Sequence, residues 1–83
     1  MTYEPTNAER ARWAANAVAV FTAETFSGDH PETMHRNDLE SAIGDLFCDL
    51  MHYARQQGFH TESILQEACR NYEWELLEEE LPA

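Results

Sequence analysis

Residues 38–58, DLESAIGDLFCDLMHYARQQG, are the stretch whose reading decides the fold. Set at about 100° per residue, the helical period, Leu39, Ala42, Ile43, Leu46, Phe47, Leu50, Tyr53 and Ala54 fall on one broad apolar arc. Asp38, Asp45, Asp49 and His52 fall together on the other side. The arc predicts a helix packed on a core. The acidic stripe is the one place where several chemically capable groups converge by spacing alone. It is either a site or a solvated face.

The flanks support a helix. Asn37 reads as its N-cap, with Glu40 three residues on. Gly58 reads as its stop, and Phe59 is placed to fold back over the last turn as in a Schellman cap. The connection Gly58-Phe59-His60-Thr61 is short, which predicts an antiparallel neighbour. Thr61 is the expected N-cap of a helix over 62–79, with Ile64, Leu65, Ala68, Cys69, Tyr72 and Leu76 on its core face. Trp74, Leu77 and Leu81 form a second stripe roughly opposite. That stripe has two destinations of equal weight: a homodimer or partner contact, or packing within its own domain. Glu73, Glu75, Glu78, Glu79 and Glu80 crowd a helix C-terminus, where the macrodipole disfavours acids. The last turn and the tail 80–83 should fray unless a basic group docks there.

Upstream, 1–6 are a lead-in, and Thr6-Asn7-Ala8-Glu9 matches a capping box for a helix over 7–27. Ala8, Ala11, Ala14, Ala15, Ala17, Ala19 and Ala23 surround Trp13, Val18, Val20, Phe21 and Phe26. A helix apolar most of the way round is buried on more than one side, so this one is expected to be central or in a subunit interface. Gly28 should end it. The loop 28–37 holds Asp29, His30, Glu32 and His35, and loops of this composition are ordinarily solvated.

Composition narrows the function classes. The chain has 83 residues, 43% hydrophobic and 11% aromatic, with 3 Gly and 3 Pro. That predicts one folded domain near the size at which a single core becomes marginal, so oligomerisation is a common remedy. The formal net charge is −11, with only 5 Lys and Arg. Direct nucleic-acid binding is therefore not expected, since phosphates must be neutralised by bases. A basic protein surface or a divalent cation is the natural partner. The start carries no signal-peptide pattern, and no apolar run nears the roughly 18 residues of a membrane span. Cys48 and Cys69 sit inside helical patterns rather than a disulfide framework, which points to a reducing cytoplasm.

Asp45 and Asp49 could hold Mg²⁺ or Mn²⁺ if Glu24, Asp29 or Glu40 supplied oxygen ligands from other directions; a solvent-facing acidic surface is the preferred reading. Cys48-x-x-x-His52 could give two zinc ligands, but a structural zinc needs four and no second pair exists. Cys48 reads instead as a small buried residue. Neither a nucleophile elbow nor a Gly-rich phosphate loop occurs. The excess of acids could imitate the phosphates of a nucleic acid in a basic groove, with salt-sensitive affinity. It could equally serve solubility.

Two resemblances bear on this. Residues 44–71, GDLFCDLMHYARQQGFHTESILQEACRN, look like the second half of the MazG-type all-α nucleotide pyrophosphohydrolases. In that family a Glu-Glu-x-x-Glu motif on one helix and Glu-x-x-Asp on another hold Mg²⁺, and dimerisation completes a four-helix arrangement. Asp45 fits the Asp of the second motif. Ala42 stands where its Glu should be, and the first motif is missing, with only Glu24 and Asp29 in its region. The resemblance therefore implies the fold more than the reaction. The whole chain, through RWAANAVAVFT (12–22) and DLFCDLMHYA (45–54), also resembles small proteins carried by plasmids, integrative elements and phages. That implies an accessory protein of mobile DNA and names no reaction.

The expectation is thus an all-α bundle of three helices (7–27, 38–57, 62–79), completed by homodimerisation. It would bind a protein partner through Asp38, Asp45, Asp49, His52, Trp74, Leu77, Glu78, Glu79 and Glu80, without a cofactor. The alternative is a diverged Mg²⁺-dependent pyrophosphohydrolase using Asp45, Asp49, Glu40 and Glu24.

Overall fold

Three helices follow one another: α1 (Asn7–Thr25), α2 (Arg36–Gln56) and α3 (Thr61–Glu80). The structure is a computed structural model describing residues 4–26 and 28–80, and it contains no strand among them. The expectations for residues 1–3, for Leu81 and for the rest of the tail lie outside the described residues.

Capping explains most helix ends. The Thr6 hydroxyl accepts from the Glu9 N–H at 3.1 Å, and the Glu9 carboxylate accepts from the Thr6 N–H at 3.4 Å, completing the capping box. At the end of α2, the Gly58 N–H donates to the Arg55 carbonyl and the Phe59 N–H to the Ala54 carbonyl, both at 3.0 Å. This is the Schellman pattern, and Gly58 makes it possible by adopting φ of 80°. Two starts differ from the sequence reading. Helix α2 begins at Arg36, and its cap is His35, whose Nδ1 accepts from the Asn37 N–H at 3.2 Å. Helix α3 begins at Thr61 itself; the His60 carbonyl accepts from the Ile64 N–H at 3.3 Å, and Nδ1 of His60 lies 3.0 Å from the Ser63 hydroxyl. In both places an imidazole nitrogen does the work expected of a shorter side chain one or two residues later.

All three helix pairs touch. The best-defined junction joins the first turn of α1 to the last turns of α3. The Asn7 N–H donates to Glu79 Oε1 at 2.9 Å, the Asn7 side-chain amide donates to the Glu75 carbonyl at 3.0 Å, and Arg10 pairs with the Glu75 carboxylate at 3.2 Å. The acidic end of α3, unfavourable for its own dipole, thus lies against the positive end of α1 and a guanidinium. This answers the expected fraying: the helix runs through Glu80.

The interior is small. Val18, Thr22, Ala42 and Ala54 are the buried residues among those described. Thr22 is fully enclosed, and its hydroxyl donates to the Ala19 carbonyl at 3.3 Å. The expected core faces are otherwise open. On α2, Leu39 and Leu46 are half-buried, while Ile43, Phe47, Leu50 and Tyr53 are exposed, Phe47 at 57% and Leu50 at 54%. On α3 the whole predicted core face, Ile64 to Leu76, is exposed, and no residue of that helix is buried. Cys48 and Cys69 are exposed free thiols rather than buried ones. The physical reason is shape. The radius of gyration is 15.0 Å, against about 12 Å for a compact chain of this length. The helices meet too sparingly to cover one another's apolar sides.

Candidate functional site

Two surfaces carry chemistry, one charged and one apolar, on opposite sides of α2. The helical period puts Asp38, Asp45, Asp49 and His52 in one row about 20 Å long, and all four are exposed. No described residue forms an ion pair with Asp38, Asp45 or Asp49. Glu24 and Glu40 are exposed as well. No three His, Cys, Asp or Glu side chains among the described residues gather where one metal ion could take them. Asp45, Asp49, Glu40 and Glu24 are therefore not assembled into a donor set within one chain.

The loop histidines have local duties. His30 Nδ1 accepts from the Glu32 N–H at 3.2 Å, and His35 caps α2. Of the expected partner-binding residues on α3, Trp74 (58% exposed), Leu77, Glu78 and Glu80 face solvent. Glu79 is also exposed, but its Oε1 is engaged by the α1 backbone. Asn7 and Arg10 were not singled out from sequence. The signal for them was indirect: five glutamates at a helix C-terminus require a positive group somewhere, and Arg10 is one of only 5 bases.

The apolar surface is a groove of about 520 Å³ between α1 and α2. Ala11, Ala14 and Val18 form one side, Ile43, Phe47 and Leu50 the other, and Pro31 also lines it. Phe47 and Leu50 also border a smaller cleft of about 120 Å³ toward Ile64 and Leu65 of α3. Among the described residues, none that is acidic or basic lines either one. The alanine-rich composition of α1 was the sequence signal for this groove, since alanines leave room beside a helix. No helix among the described residues is long and apolar enough to cross a membrane.

Comparison with known proteins adds no relative: no family model matches the chain, and neither a curated protein nor a solved structure matches it.

Proposed function

We propose that this chain is a non-catalytic acidic accessory protein of a mobile element, acting in the cytoplasm by binding a basic surface on a protein partner. The observation that carries the reading is the exposed row Asp38–Asp45–Asp49 on α2, with no ion pair to it from any described residue. Carboxylates at that spacing attract lysines and arginines without needing a shaped pocket. A groove built to hold nucleic-acid phosphates is a surface of the required charge, and occupying such a groove on a host defence complex is the concrete form of the proposal. The free thiols of Cys48 and Cys69 suit a reducing compartment.

The test uses the full chain immobilised and exposed to host lysate at about 0.05 M salt, where the Debye length exceeds 10 Å. The expected result is a captured protein that is released by salt or by added nucleic acid and is not captured by the triple variant Asp38→Asn, Asp45→Asn, Asp49→Asn. Capture that persists in the triple variant, or no capture at low salt, refutes the proposal.

A further inference from the structure

The apolar groove between α1 and α2 remains open in the single chain, with Phe47 and Leu50 on its wall more than half exposed. We propose that a second copy of this chain fills the groove. In a two-fold symmetric dimer, the Ile43–Phe47–Leu50 ridge of each copy would sit on the Ala11–Ala14–Val18 side of the other. This inference does not depend on the basic partner proposed above.

Area is the first argument. The chain exposes 7144 Å², whereas a folded monomer of its mass exposes about 5,100 Å². The excess is about 2,000 Å² per copy, spread over the whole chain, and a standard protein–protein contact of about 800 Å² per partner fits within it.

Shape is the second. Ile43, Phe47 and Leu50 follow one another by four and three residues, so they form a continuous ridge on α2. Ala11 and Ala14, both exposed, follow by three, and Val18 four residues on is already buried within the single chain, so that row is low. A ridge and a low row on the same surface are self-complementary, as a two-fold interface requires.

Charge is the third. A partner selected by the chain's net charge of −11 would seek acids, and none lines the groove. The acids Asp38, Asp45 and Asp49 lie on the far side of α2, so repulsion between copies runs largely through solvent and is screened by salt. Salt should therefore tighten the dimer while it releases a basic partner. The two proposals can fail separately.

The experiment measures mass by size-exclusion chromatography with light scattering on the full chain. Three single variants accompany it: Phe47→Glu and Ala14→Glu in the groove, and Trp74→Glu on the outer side of α3. The native chain and Trp74→Glu should both run as dimers. Each groove variant buries a carboxylate and should raise the dissociation constant at least about a hundredfold. Because a groove variant can also lose its fold, the thermal midpoint of the native chain is followed against concentration, and for a dimer it rises. A native chain that is monomeric throughout, with a midpoint independent of concentration, overturns the proposal. So does a dimer that survives both groove variants and dissociates with Trp74→Glu. A monomer whose groove takes up a small apolar probe or another protein overturns it as well.

Discussion

Replacing Asn7 by Ala should lower the thermal midpoint by about 4–16 °C. The junction between α1 and α3 supplies the magnitude. The Asn7 side chain donates to the Glu75 carbonyl at 3.0 Å and accepts from Arg10 Nη1 at 2.6 Å. Alanine loses both bonds and keeps the backbone N–H that reaches Glu79. Each lost bond removes about 1 kcal/mol, and the better helix propensity of alanine returns about 0.5 kcal/mol. The net loss of about 1–2 kcal/mol converts at roughly 4–8 °C per kcal/mol in a chain of this size. A companion variant isolates the charge. Glu79→Gln keeps an acceptor oxygen but removes the anion from the α1 N-terminus, at a cost of about 0.3–1 kcal/mol that salt should diminish. Circular dichroism melts at one fixed protein concentration measure both. If Asn7→Ala melts with the native chain, the junction does not hold α1 to α3. If the Glu79→Gln cost is the same at high salt, its dipole explanation is wrong.

Three further outcomes follow from the same geometry. Gly44 lies inside α2, and a Cβ built there meets nothing within 4 Å; Gly44→Ala should therefore stabilise by about 0.5–1 kcal/mol in a denaturant titration, and a loss of stability would show that something packs against that position. Gly58→Ala forces a Cβ onto a φ of 80° and should destabilise by about 1 kcal/mol or more by the same titration; a neutral result would mean the Schellman turn can be replaced without strain. Calorimetric titration with Mg²⁺ should show no stoichiometric site, and nucleoside triphosphates should release no pyrophosphate; either signal, lost in Asp45→Asn, would restore the pyrophosphohydrolase reading.

The helices were legible because their signals are local. The Thr6–Glu9 box and the Gly58–Phe59 turn each lie within a few residues, and the periodicity of 38–58 does not depend on neighbours. The two cap shifts show the limit of that reading. An imidazole Nδ1 can accept a backbone N–H, yet Asn37 and Thr61 look like better caps on paper. The junction of Asn7 and Arg10 with Glu75 and Glu79 was not legible, because its partners are separated by up to 72 residues. The candidate site divides in the same way. Spacing alone places Asp38, Asp45, Asp49 and His52 on one face, as expected. Periodicity also marks Ile43, Phe47 and Leu50 as apolar, but it cannot say what covers them. The pattern predicts core, whereas in the single chain they are the wall of an open groove.

Closure of that groove by a second copy would cover the apolar wall that the single chain leaves open. The most direct measurement is the absolute mass of the native chain by sedimentation equilibrium at micromolar concentration, at low and at high salt. A mass twice the 9.6 kDa of one chain, held more tightly as salt rises, is the predicted result. A mass of 9.6 kDa at every concentration and both salts would contradict it.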